Sequence, residues 1–164
     1  MKAALPLVVA LILATPAAAQ DERVWMFSET EDSVYLGYGI PESDDGLATF
    51  VCFKGSNRAE LYLTFEHRIA TENPNPQGEW VDAQGRPAPW TVELTIAGID
   101  TSAQALADEM NGGSTVSAPM PTDDAIFKAI GDAGRLRAEA FGETIAPPPF
   151  RKADFRRFLQ GCKG

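Results

Sequence analysis

Histidine is almost missing from this chain: His67 is the only one in 164 residues. A serine or cysteine nucleophile ordinarily needs a base, most often histidine, that a third group orients. His67 stands between Glu66 and Arg68 at the end of an alternating segment, and no G-x-S-x-G elbow occurs. It reads as a rim residue. Cysteine is nearly as scarce, with only Cys52 and Cys162. A structural zinc takes four ligands, and two cysteines with one histidine fall short, so no metal and no cofactor is expected. Basic residues are few, 14 Lys and Arg against 23 Asp and Glu for a net charge of −9. Such a surface repels phosphate backbones and anionic membranes; nucleic acid is excluded as a partner and a cationic one is favoured. Beyond the amino-terminal region there is no apolar run approaching the roughly 20 residues that a membrane-spanning helix needs.

The first residues, MKAALPLVVALILATPAAAQ, have three parts. Lys2 carries a positive charge, an apolar stretch runs to Ala14, and Ala17 and Ala19 occupy the A-x-A positions of a signal peptidase site. The expected organisation is a signal peptide over 1–19 and a single β-rich domain over 20–164. The expected location is the periplasm of a bacterium, or the medium. Removing Lys2 with the leader leaves 13 basic against 23 acidic residues, a net charge of −10. In an oxidising compartment the two cysteines allow one pairing, across 110 positions. A bridge closing such a loop contributes about 4–5 kcal/mol, less any native strain. Free thiols are the alternative.

Period-two alternation dominates the chain beyond the leader. Ser33–Ile40 places Val34, Leu36, Tyr38 and Ile40 on one face, with Tyr35, Gly37 and Gly39 on the other. Leu47–Lys54 is apolar on both faces, which predicts a central strand. Ala59–Glu66 and Thr91–Ile96 alternate in the same way, and Val24–Ser28, Ser114–Ala118 and Arg135–Phe141 do so more weakly. Short turn-forming runs, Pro41–Gly46 and Gly55–Arg58, join consecutive strands and imply antiparallel pairing. Ala70–Pro89 holds four prolines and two glycines; it predicts a long loop with a short hairpin around Ala83–Arg86.

Two helices are expected. Thr122 or Asp123 caps one that begins at Asp124 and ends at Gly131 or Gly134. In the other, Arg151–Gln160, the stripe Phe155, Phe158, Leu159 and Cys162 follows i, i+3, i+4 and i+7, and Gly161 stops the helix or lets its last turn distort. Pro147–Pro149 forms a stiff connector into it. The fold class that results is mainly β: an antiparallel sandwich or a curved open barrel of about seven or eight strands. One short helix and a carboxyl-terminal helix pack on it, the latter stapled through Cys52 and Cys162.

The candidate ligand-binding residues are Tyr35, which shares a face with Gly37 and Gly39, and the acidic turn residues Glu42, Asp44 and Asp45. Two glycines beside a tyrosine leave a bare patch that a backbone or ligand could approach. Adjacent exposed carboxylates in a turn make poor general acids, and the run lacks the spacing of an EF-hand loop. No catalytic residue is assigned. The expected function is a non-enzymatic envelope protein that binds a protein or small ligand, one version being an inhibitor of a basic hydrolase such as lysozyme. The alternatives are a carboxylate-dependent hydrolase of cell-wall glycan and a structural envelope component.

Around Tyr38-Gly39-Ile40-Pro41-Glu42-Ser43-Asp44, followed by Phe50-Val51-Cys52 and the late Cys162, the chain resembles a set of uncharacterised small exported bacterial proteins. Their pattern is Y-G-x-P-E-[ST]-D, a strand ending in cysteine, and a second cysteine near the carboxyl end. The resemblance implies an export signal and a disulfide-linked β domain, and it carries no activity.

Overall fold

A computed structural model describes residues 22–163; the leader expected over 1–19 lies outside them. Among these residues nine strands and two helices follow in the order β1 (Val24–Glu29), β2 (Ser33–Gly39), β3 (Gly46–Phe53), β4 (Arg58–Phe65), β5 (Trp90–Ile96), β6 (Ile99–Ala107), β7 (Ser114–Pro121), α1 (Ala125–Ala133), β8 (Ala138–Ala140), β9 (Glu143–Ile145) and α2 (Lys152–Lys163). The strands form one sheet ordered β1-β2-β3-β4-β7-β6-β5-β8-β9, and every neighbouring pair is antiparallel. The sheet curls into a half-barrel with the helices as partners, so the expected curved open barrel is the architecture present. No helix among the described residues is long and apolar enough to cross a membrane.

The alternation explains the curl. Val34, Leu36, Phe50, Leu61, Leu63, Phe65, Leu94 and Ile96 all project from the same side of the sheet and are buried. Their partners in sequence, such as Tyr62 and Phe53, remain exposed on the convex side. A sheet with one apolar face must cover it. Here the cover is α2, whose Phe155, Phe158 and Cys162 are buried, and α1, whose Ile126, Phe127 and Ile130 are buried. Phe50, in the middle of β3, is the hub. The rings of Trp25, Phe127, Phe155 and Phe158 lie between 5.7 and 6.3 Å from its own.

The disulfide between Cys52 and Cys162 is formed, with Cα atoms 5.6 Å apart. Both residues are buried, and backbone bonds reinforce the clamp: the Asn57 N–H donates to the Cys162 carbonyl at 2.9 Å.

Two details of the helices depart from expectation. Asp124, not Thr122 or Asp123, is the N-cap of α1, its carboxylate accepting the Ile126 N–H at 2.9 Å. The Thr122 hydroxyl donates to the Asn57 carbonyl instead. Gly161 does not stop α2, which runs through it to Lys163. It is the point where the helix meets the sheet, because a Cβ there would come within 2.6 Å of Val34 Cγ2. Overfilled contacts of this kind cost about 1–3 kcal/mol. Gly161→Ala is therefore expected to destabilise the domain by that amount, despite alanine's better helix propensity. Chemical denaturation measures this; an unchanged or raised midpoint would show that α2 can shift.

Strands β6 and β9 carry no strong signal of their own. The fully buried inward positions of β6 are Ala103 and Ala105, whose small side chains register weakly in any alternation. The hairpin expected within Ala70–Pro89 is present, closed by the bridge Val81↔Pro87 and by Asp82. The Asp82 carboxylate accepts the backbone N–H groups of Gln84 and Arg86 and the Arg86 side chain. Burial opposes its ionisation, but those bonds prevail and hold the carboxyl below its ordinary range.

Candidate functional site

The acidic turn between β2 and β3 is built by a close backbone approach. The Ile40 N–H donates to the Asp45 carbonyl at 3.0 Å, and the Gly46 N–H to the Asp44 carbonyl at 2.9 Å. The Asp45 carbonyl passes over Gly39, where a Cβ would stand 2.6 Å away. Gly39 is thus filled by the protein's own turn, and the bare patch expected beside Tyr35 is closed at that end. Asp45 is gripped by Arg23, whose Nη2 lies 3.1 Å from both carboxylate oxygens.

Opposite this turn is the loop joining β6 to β7, Asp108-Glu109-Met110-Asn111-Gly112-Gly113. One carboxylate organises it: Asp108 accepts the N–H groups of Met110 and Asn111 and the Asn111 side-chain amide at 3.0–3.1 Å. Burial of Asp108 works against its charge, yet the bonds from Asn111 and Met110 outweigh this and lower its pKa. Glu109 accepts the indole N–H of Trp80 at 2.6 Å, which docks the long Ala70–Pro89 loop onto the same tip. Met110 is 79% exposed there.

Between the two loops lies a cleft of about 730 Å³, with Asp44, Asp45, Glu66 and Asp108 among its walls and Leu47, Phe65 and Met110 as its apolar surface. A second cleft of about 620 Å³ shares Arg23, Leu47, Thr64 and Glu66 with it and adds Tyr38 and Glu143. The β8–β9 hairpin forms the far wall. Its turn, Phe141-Gly142, has φ of 57° and 79°, the left-handed pair of a tight hairpin. The Phe141 ring stacks on His67 at 4.6 Å, and the Glu143 carboxylate accepts the Glu66 N–H at 3.0 Å. The connector closes the arrangement from below, with the Trp25 indole N–H donating to the Pro148 carbonyl at 2.6 Å.

Together the two clefts are lined by five carboxylates, Asp44, Asp45, Glu66, Asp108 and Glu143, and by one guanidinium, Arg23. The site can therefore attract and hold a cation or a basic side chain. A general acid needs a raised pKa, and that of Asp108 is displaced downward.

Of the residues singled out by sequence, Asp44 and Asp45 line the first cleft. Glu42, exposed at φ 60°, and Tyr35 line neither. Tyr35 sits half-buried on the convex face between Ser28 and Val51, about 13 Å along the strand from the turn at ~3.3 Å per residue. Its convex-side companion Tyr62 has its hydroxyl pKa pushed up to about 12 by burial and by the Glu60 carboxylate. Sequence reasoning did not single out Arg23, Glu66, Asp108 or Glu143 as binding residues. Only Asp108 carried a local clue, an Asp followed by Asn-Gly-Gly in a turn-forming run. No group of three or more His, Cys, Asp or Glu among the described residues is arranged to hold a metal ion.

Compared with protein-family models, curated proteins and solved structures, the chain matches none.

Proposed function

We propose that this chain is a non-enzymatic protein of the bacterial envelope, exported by its leader and cleaved near Ala19, that binds a basic protein through the acidic cleft. The family likeness at Tyr38–Asp44 and the Cys52–Cys162 bridge support the exported setting. One observation carries the binding reading: carboxylates from four separate parts of the chain line two adjoining clefts in which Arg23, the single cation of the lining among the described residues, is already held by Asp45. A basic hydrolase that works on the cell wall, such as lysozyme, has the required charge.

Titration calorimetry of the mature chain with lysozyme tests this. Binding is expected at low ionic strength and is expected to weaken as salt shortens the Debye length from about 30 to 8 Å. Asp44→Asn with Glu66→Gln removes two exposed charges, each worth about 0.2–1 kcal/mol against a partner cation. The dissociation constant should rise roughly 2- to 30-fold. Binding that ignores both salt and this double variant would refute capture at the cleft, and turnover of cell-wall glycan abolished by Asp44→Asn would replace the binder with a hydrolase.

A further inference from the structure

The sheet has two edges, and they are built differently. β9 is three residues long, its Glu143 is tied to the Glu66 backbone, and the chain leaves it into Pro147–Pro149. β1 is six residues long, Val-Trp-Met-Phe-Ser-Glu, and among the described residues pairs only with β2, in unbroken register from Val24↔Gly39 to Glu29↔Val34. Trp25 and Phe27 pack against the core, while Val24 on the convex side is 46% exposed. Among the described residues, the β1 backbone groups that point away from β2 make no backbone hydrogen bond. Such a row is a template for another strand, and proteins ordinarily blunt it with lysine, proline, a bulge or a covering loop. β1 contains none of the first three.

We propose that β1 is the interface of a two-fold symmetric dimer, in which β1 of a second copy adds antiparallel and joins two nine-stranded sheets. The strand is self-complementary in that direction. With Met26 on the two-fold axis, Val24 faces Ser28 of the second copy on the convex side, and Trp25 faces Phe27 and Arg23 faces Glu29 on the concave side. Alternation is preserved on both faces, and an aromatic pair and an ion pair fall directly opposite each other, the arrangement that stabilises adjacent strands. Parallel addition would instead set Arg23 on Arg23 and Glu29 on Glu29. The surroundings agree with the antiparallel choice. Arg23 neighbours Asp44 and Asp45, whereas Glu29 is clasped by Lys54 at 2.8 Å and Arg157 at 3.1 Å. Carboxylates of one copy thus approach cations of the other; Glu31 and Asp32 fall beyond the paired stretch. Because Arg23 also lines both clefts, Glu29 of the second copy would stand at their rim. This dimer does not depend on what the clefts bind.

Cysteine scanning of β1 tests the register directly. Opposed Cα atoms in an antiparallel pair lie about 4.5–5.5 Å apart, within the span of a disulfide, and the native cysteines are already bonded and buried. Met26→Cys should cross-link to itself on mild oxidation. Val24→Cys and Ser28→Cys should each stay uncross-linked alone but join when mixed in equal amounts. In sedimentation, Met26→Lys should weaken the dimer about ten-fold, and mixing it with Met26→Glu should restore association. A mature chain that sediments as a monomer at every concentration overturns the proposal, as does equal self-cross-linking at all three positions. So does a monomer that accepts only an added extended peptide along β1, which would assign the edge to a different protein.

Discussion

Replacing Cys52 and Cys162 together by alanine is expected to destabilise the domain by about 4–5 kcal/mol and to lower its melting temperature by roughly 10–20 °C. The bridge spans 110 residues, so its loss returns a large loop-closure entropy to the unfolded chain. Alanine is the suitable replacement because both sulfurs are buried and a serine hydroxyl there would lack a partner. The consequence is concentrated at one place. α2 is held by Phe155 and Phe158 against Phe50 and by the backbone bonds of Gly55 and Asn57 to its last turn, so the helix should fray from its carboxyl end when the staple is cut. Thermal circular dichroism of the oxidised and double-alanine proteins measures this. A shift of less than about 3 °C would mean that the helix docks without the bridge.

Phe50→Ala should cost about 3–5 kcal/mol, the range for truncating a buried phenylalanine in a core that cannot collapse around the vacancy. Phe50 is fully buried and meets four aromatic rings contributed by β1, α1 and α2, so one truncation loosens the contact between the sheet and both helices. Phe53 is the control. It lies three residues further along the same strand but is 72% exposed, and Phe53→Ala should change stability by no more than about 0.5 kcal/mol. Urea unfolding of the two variants separates them; similar costs would mean that the convex side is covered by something in solution.

The difference between those phenylalanines also shows how far the sequence could be read. Alternation locates β2, β3, β4 and β5 because large residues recur at every second position, but β3 is apolar on both faces, and nothing local tells the buried Phe50 from the exposed Phe53. Alternation is weak for β6 because Ala103 and Ala105 fill the inward places beneath larger neighbours. Gly161 reads as a helix stop or a point where the last turn distorts, since nothing local reveals that Val34, far earlier in the chain, would occupy the space of its side chain. The site was legible only in part for the same reason. Asp44 and Asp45 are adjacent and read as an acidic turn. Glu66, Asp108 and Glu143 join them only because β4, the β6–β7 loop and the β8–β9 hairpin converge when the sheet curls. In the sequence Tyr35 groups with the turn through its glycine neighbours, but in the fold the backbone of the turn itself closes over Gly39.

Hydrogen exchange of the mature chain, free and with saturating lysozyme at low salt, is the most direct test of an acidic cleft that captures a basic partner. Slowed exchange is expected at Asp44–Leu47, at Glu66 and across Asp108–Gly113, with the convex strands around Tyr35 and Tyr62 unchanged. Protection confined to the convex face, or none at any of these positions, would contradict it.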